Sequence, residues 1–156
     1  MRKFLRKLFK TIVVLTVLLV LSITAMGYLK YKQAVTNVPI TEKVALLREG
    51  ENYTTIDSIS TDFLESIVAI EDHRFYEHGA IDPIAVVRAT IVNTLQKEIA
   101  QGGSTLTQQV AKNMYFNHDQ NYTRKVAELF VAHQLEKLYT KDDILELYVN
   151  IIYYGD

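Results

Sequence analysis

Between Thr11 and Tyr28 the chain carries no charged residue, and Arg2, Lys3, Arg6, Lys7 and Lys10 stand directly before that run. As an α-helix at about 1.5 Å per residue, it reaches roughly 27 Å, close to the thickness of a bilayer's hydrocarbon core. This constrains the fold before anything else: one helix is set aside to cross a membrane, and the rest must fold around what remains of 156 residues. Tyr28, Lys30, Tyr31 and Lys32 look like an interfacial anchor at its far end. The first acidic residue is Glu42, so the basic cluster at 1–10 is expected in the cytoplasm and everything after the span outside. A cleaved signal peptide with Ala25-Met26-Gly27 as its small-residue site is the rival reading. The run is longer than most such apolar regions, which favours a retained single-pass anchor over 11–29.

Removing that anchor changes the charge balance. The N-terminal part takes 7 of the 17 basic residues and leaves 10 against 18 acidic ones, a formal charge of −8 for the remainder. Such a body lacks the basic stripe that nucleic acid demands, so nucleic acid is not expected as a partner. The absence of cysteine removes disulfides, thiolate metal sites and thiol nucleophiles, and suits the outer face of a bacterial membrane.

Residues 30–60 read as a juxtamembrane segment, with Val35–Ile40 and Tyr53–Ile56 as short extended pieces. From residue 61 to 156 the periodicity is helical. Asp62 and Glu65 have capping-box spacing before Phe63, Leu64, Ile67, Val68 and Ile70. Asp82-Pro83 opens a second helix through Leu95, and Gly102-Gly103-Ser104 precedes a third from Thr105 to Met114. A further helix is expected from Tyr122 to Leu138, and a last one from Ile144 to Tyr153, capped by Thr140 and Asp143. The expected fold is mainly α.

The chemistry concentrates in three places. Glu71 ends an apolar helical run and opens the stretch Glu71-Asp72-His73-Arg74-Phe75-Tyr76-Glu77-His78-Gly79-Ala80-Ile81-Asp82, which abandons helical patterning. A carboxylate where a helix gives way to a loop is a candidate catalytic group; the bland alternative is a solvated helix end. Gly102 to Gln109 joins flexible backbone, hydroxyls and adjacent amides at a helix start, where free N–H groups favour an anionic oxygen. Its bland reading is a serine N-cap, and Lys112 comes next on the same helix, within reach of any anion held there. Arg124 and Glu128, four apart, are either a surface ion pair or a cation and second carboxylate facing one pocket. His73 and His78 lack metal-ligand spacing and are expected to hold the loop by hydrogen bonds; His118 and His133 have no assigned role. Tyr148, Tyr153 and Tyr154 are core or interface candidates.

In combination these segments resemble the peptidoglycan glycosyltransferases, glycosyltransferase family 51, as found in monofunctional transglycosylases and in the amino-terminal part of class A penicillin-binding proteins. Glu71–Asp82 looks like the first family signature, Gly103–Asn113 like the second, and Arg124–Glu128 continuing through Leu135-Glu136 and Lys141–Asn150 like the third. Their order and spacing agree over residues 60–156, with one small departure at His78-Gly79-Ala80, where many members place another residue between histidine and glycine. The resemblance implies a lysozyme-like helical domain on a single membrane anchor. Members of the family continue beyond Tyr153-Tyr154-Gly155-Asp156 into two more signatures, so a carboxy-terminally incomplete domain of marginal stability is expected.

The resemblance further implies polymerisation of lipid II into glycan strands, with inversion and loss of undecaprenyl pyrophosphate. On that reading Glu71 is the general base. Glu128 supports the leaving group or a divalent cation, magnesium or manganese; no organic cofactor is expected. Arg74, Lys112 and Arg124 neutralise diphosphates, Ser104, Thr105 and Gln109 position them, and Asp72, Phe75, His78 and Asp82 belong to the structural motif. Expected partners are lipid II, the growing strand, the cell membrane, and proteins of cell-wall synthesis or division. Two alternatives stand beside this: a noncatalytic membrane-anchored module that binds lipid II or a partner, and a lysozyme-like hydrolase of finished glycan.

Overall fold

A computed structural model describes residues 2–96, 102–116 and 121–152. Across these the architecture is mainly α: seven helices, two single-turn 3-10 segments at Ile56–Ser58 and Phe75–Glu77, and no strand. His118, Tyr153, Tyr154, Gly155 and Asp156 lie outside the described residues, as does the expected end of the last helix at Tyr153.

Helix α1 (Arg2–Asn37) is 36 residues long and apolar enough to cross a membrane. At 1.5 Å per residue it measures about 54 Å, well beyond a bilayer core, so its far end belongs to the folded domain. Only Gly27 and Tyr31 of α1 are buried. They meet α6 (Tyr122–Leu138), the most extensive pairing of two helices in the fold. A Cβ built on Gly27 would lie 2.5 Å from Val126 Cγ1 and 3.0 Å from the Thr123 carbonyl, so glycine is what lets the two helices touch. One turn on, Tyr31 stacks on Phe130 at 5.5 Å between ring centroids and Tyr28 meets the same ring edge-on at 5.3 Å.

The expected extended pieces are absent. Val35–Asn37 completes α1, and Pro39 caps α2 (Ile40–Arg48). Burial of Ile40 and Val44 in the core stabilises helix here over the extended preference of Val35, Val38 and Ile40. Tyr53–Thr55 is irregular, although its backbone is paired: Asn150 accepts from Thr54 N and donates to Thr54 O, each at 2.8 Å. Next to it, the nearly buried Glu146 carboxylate accepts from Tyr53 OH (2.6 Å), Ile56 N (3.0 Å) and Arg48 (3.2 Å). Burial and the Glu146 charge push the Tyr53 hydroxyl up to about 12. With Asp143 accepting from Arg48 at 2.7 Å, three residues of α7 (Lys141–Ile151) thus bind the 48–56 segment to the domain.

The remaining helices are α3 (Thr61–Glu71), α4 (Pro83–Gln96), α5 (Leu106–Tyr115) and α7 (Lys141–Ile151). Helix α5 packs on both α6 and α7, and the core fills between them with Leu106, Val110, Val131, Leu135, Ile144 and Leu147. The Thr140/Asp143 capping box forms in full, starting α7 at Lys141. The box expected at Asp62/Glu65 does not form: α3 begins after Ser60 with no side-chain cap bond. Asp82 caps α4 by accepting from Ile84 N at 2.9 Å.

Candidate active site

Glu71 is the last residue of α3, and its side chain is exposed because the chain leaves helical geometry at Asp72. The chain from Asp72 to Asp82 forms a fastened loop. Asp72 accepts from Leu106 N, the first amide of α5, at 3.0 Å, and its other oxygen pairs with His78 Nε2 at 2.8 Å. His78 Nδ1 contacts Gly79 O at 2.7 Å. Gln108 Nε2 and Thr105 Oγ1 both donate to Ala80 O, at 2.8 and 3.0 Å. Phe75 is fully buried beneath, with the Lys141 ammonium 4.3 Å from its ring centroid. The loop is therefore clamped to the start of α5, and Glu71 stands on a rigid corner.

That clamp revises two readings of the glycine-rich turn. Thr105, not Ser104, is the N-cap of α5, accepting from Gln108 N at 3.2 Å, and its hydroxyl is buried. The amides of Leu106 and Gln108 are already paired with Asp72 and Thr105, so this helix start does not offer them to an anion. Ser104 is released for other contacts, and Gly103 packs against α4, where an added Cβ would meet Val86 Cα at 3.4 Å.

Glu71, Ser104 and Gln109 share a cavity of about 380 Å³ with His73, Arg88 and Gly102. Gln109 Nε2 donates to Glu71 Oε2 at 2.9 Å, orienting the carboxylate while leaving its other oxygen clear of that bond. A larger cavity of about 670 Å³ adjoins at Ala69 and His73, lined also by Leu64, Val68, Tyr76 and Leu145.

Ser104 connects this cavity to the second carboxylate. It accepts from Lys125 Nζ at 2.7 Å, and Lys125 Nζ is 3.3 Å from Glu128 Oε2. Arg124 Nη1 lies 3.2 Å from Glu128 Oε1. Glu128 is 1% exposed, so this is an ion triad around a buried carboxylate rather than the surface pair that i,i+4 spacing alone allows. Two cations already face Glu128, which makes it a poor seat for a divalent ion. Asp72, His78 and Asp82 come within 4.8 Å of one another. Both Asp72 oxygens and both His78 nitrogens are engaged in fastening the loop, so this trio is a structural joint.

Arg74 is not among the residues that line this cavity. It donates to Glu77 at 3.0 Å and to Asp82 at 3.4 Å. Burial alone would raise the Asp82 carboxyl, but the Ala85 and Ile84 amides and the Arg74 charge hold it below its ordinary value. Lys112 sits on α5 one turn beyond Gln109, partly buried and outside the lining of the Glu71 cavity. Sequence reading missed Arg88 and Lys125. Lys125 was detectable, three residues before Glu128 and so on the same helix face. Arg88 gave no local signal, since only tertiary folding brings α4 against Glu71.

A helical domain on a membrane-length helix, presenting one open and one enclosed carboxylate among amides and cations, defines a class suited to proton transfer beside an anionic group. Comparison with known proteins makes that class specific. Residues 39–156 match the transglycosylase family, and the chain belongs to it. It is 40% identical over 150 residues to a putative transglycosylase of Cupriavidus necator, covering 96% of this chain and 64% of that one. It is 42% identical over 118 residues to a monofunctional glycosyltransferase of Staphylococcus aureus, covering 74% and 44% of the two chains. Penicillin-binding protein 1A of Escherichia coli is 44% identical over 101 residues, which are 65% of this chain and 12% of that protein. The chain thus spans less than two thirds of the length of these relatives.

Proposed function

We propose that this protein is a peptidoglycan glycosyltransferase that polymerises lipid II, held at the outer face of the cell membrane by α1 with its amino terminus in the cytoplasm. The carrying observation is the open Glu71 carboxylate, bonded to Gln109 in a cavity that reaches Lys125, Glu128 and Arg124 through Ser104.

In the proposed step an acceptor sugar hydroxyl attacks the anomeric carbon of the lipid-linked strand. Its proton passes to Glu71, the bond from that carbon to the diphosphate oxygen breaks, and undecaprenyl pyrophosphate leaves with the electron pair. Proton removal needs a base within hydrogen-bond reach, and an exposed carboxylate at a rigid corner can meet a bound hydroxyl. The departing charge needs fixed cations in a partly dry site, a role for Arg124 and Lys125, with Lys112 beyond Gln109. Glu128 holds Arg124 and Lys125 in place, and Ser104 fixes the Lys125 ammonium. Magnesium or manganese, in this reading, accompanies the substrate diphosphate instead of binding Glu128. Thr105 and Arg74 support the loop and α4, with no direct contact to substrate.

The test is polymerisation of labelled lipid II by this chain in detergent beside Glu71→Gln. A general base contributes roughly 10²–10⁴-fold, so the variant should lose turnover by that factor while retaining lipid II binding. Equal turnover in the two would eliminate Glu71 as the base. Binding without product from either would favour a noncatalytic lipid II module, and shortening of finished glycan would favour a hydrolase.

A further inference from the structure

The α5 contacts grip the loop after Glu71 at its two ends, Asp72 and Ala80, and its middle meets a different helix. Phe75 and Tyr76, consecutive on the 3-10 turn, meet Lys141 and Asp142, consecutive in the first turn of α7. The Lys141 ammonium stands 4.3 Å from the Phe75 ring centroid, and Tyr76 OH donates to Asp142 Oδ1 at 3.0 Å. Phe75 N in turn donates to Asp72 O at 2.8 Å, which ties the ring within one turn to the residue that follows Glu71.

Lys141 is itself fixed from behind. Its ammonium donates to Glu136 Oε1, near the end of α6, at 2.8 Å, and the same oxygen accepts from the fully buried Thr107 of α5 at 2.5 Å. One cation therefore joins α5, α6 and α7 to the loop. Burial alone holds the Phe75 ring inside without orienting it, because the hydrophobic effect has no direction. A cation over the ring face does orient it, and the attraction is strongest where water is excluded, as it is at Phe75. Lys141 lines neither the Glu71 cavity nor the larger one beside it, so its influence on the site runs through Phe75.

We propose that Lys141 is a positioning residue for Glu71: its cation orients the Phe75 ring, the ring fixes the 3-10 turn, and the turn holds the carboxylate against Gln109. The bond from Gln109 Nε2 to Glu71 Oε2, 2.9 Å long, is the contact this arrangement sets. Tyr76 on Asp142 holds the neighbouring residue of the turn to the same helix. An aliphatic side chain at 141 would fill the space, yet it would offer the ring no charge and leave Glu136 bonded to Thr107 without its cation. The kinetic consequence rests on the transferase reading; the effect on the bond between Glu71 and Gln109 does not. A base must lie within hydrogen-bond reach of the proton it takes, and a displacement of about 1 Å can cost on the order of 10²-fold in rate.

The experiment follows the Gln109 side-chain amide by NMR in the full chain in detergent, with thermal melts and lipid II kinetics in parallel. In Lys141→Met the Gln109 signal should move at least halfway toward its position in Glu71→Ala. Turnover should show kcat lower by about tenfold or more with KM within about twofold, the split expected when a base is displaced and substrate binding is not. Lys141→Arg keeps a cation that stacks on an aromatic face and should restore both readouts. Lys141→Gln is the milder variant, retaining a donor for Glu136 while losing the charge over the ring, and it decides if Lys141→Met fails to fold. A wild-type Gln109 signal in whichever of the two melts natively overturns the proposal. An altered signal with unchanged kcat in an active chain does the same, and so does failure of both variants to fold, which would make Lys141 a folding residue only. A wild-type chain that makes no glycan refutes the transferase reading instead, and the Gln109 signal still decides the role of Lys141.

Discussion

Gly27 is the position at which a single methyl group should report on how the membrane helix is joined to the site. An added Cβ would sit 2.5 Å from Val126 Cγ1, 2.6 Å from Val126 Cβ and 3.0 Å from Thr123 O. Apolar carbons settle at about 3.5–4.0 Å, so α1 and α6 must part by roughly 1 Å. Overpacking of this kind costs about 1–3 kcal/mol, while alanine gains about 1 kcal/mol over glycine inside a helix. Gly27→Ala is therefore expected to lose only about 0–2 kcal/mol. Gly27→Val adds two more methyls with less propensity gain and should lose about 2–3 kcal/mol. At roughly 2–4 °C per kcal/mol for a chain of this size, the valine variant should melt about 5–10 °C lower. The assay is thermal unfolding of the full chain in detergent, followed by circular dichroism, alongside lipid II turnover. Relief has a specific signature. Val126→Ala should fail to rescue Gly27→Ala because its Cβ remains at 2.6 Å, whereas Val126→Gly should rescue it in part. A Gly27→Val variant with unchanged melting would refute the close docking of α1 on α6.

Three further outcomes are expected. Thr105→Ala should lower stability by about 1–2 kcal/mol through the lost N-cap, whereas Ser104→Ala should melt normally and lose turnover by releasing Lys125; both are read by melting and lipid II kinetics. Glu146→Ala strips partners from Tyr53, Ile56 N and Arg48 and should cost roughly 2–3 kcal/mol, moderated because Arg48 is partly exposed, with denaturant midpoints as the measure. Asp82 and Asp143 both have folded-state pKa values below their ordinary ones, Asp143 through its Thr140 bond and Arg48. The stability they contribute is full above the unfolded value near 3.8 and is lost as pH falls through the lower folded values, so acid unfolding should begin at higher pH in Asp82→Asn than in wild type.

What could be read from the sequence was what is local. The Thr140/Asp143 cap, the Asp82-Pro83 start and the span of α6 depend on neighbours within four residues, and each is found as expected. The errors arose where distant contacts override local preference. Val35–Ile40 looks extended by composition, yet burial of Ile40 and Val44 makes its surroundings helical. Arg74 lies three residues from Glu71, and the 3-10 turn at Phe75–Glu77 sets it on Glu77 and Asp82. Arg88, seventeen positions from Glu71, lines the same cavity because the glycine turn packs against α4. Glu71, Ser104 and Gln109 fall in one cavity because the loop between them is clamped to α5, and that clamp was legible only as a run of unusual residues.

The same contacts make the proposed anchor more than a tether. A flexible leash would need no helix beyond the apolar run, yet α1 continues to Asn37 and buries Gly27 and Tyr31 against the turn of α6 that bears Arg124, Lys125 and Glu128. A helix fixes distance at about 1.5 Å per residue, so with α1 crossing the membrane as proposed the separation between bilayer and cation cluster is set by covalent geometry and by Gly27's contact. On the proposed reading the substrate diphosphate is confined to the membrane surface by its own lipid, and a site at constant height meets it without a search along the membrane normal. Proximity of this kind lowers an activation barrier only when the reacting groups are also oriented. Here the orientation comes from the clamped corner under Glu71, and the height from α1.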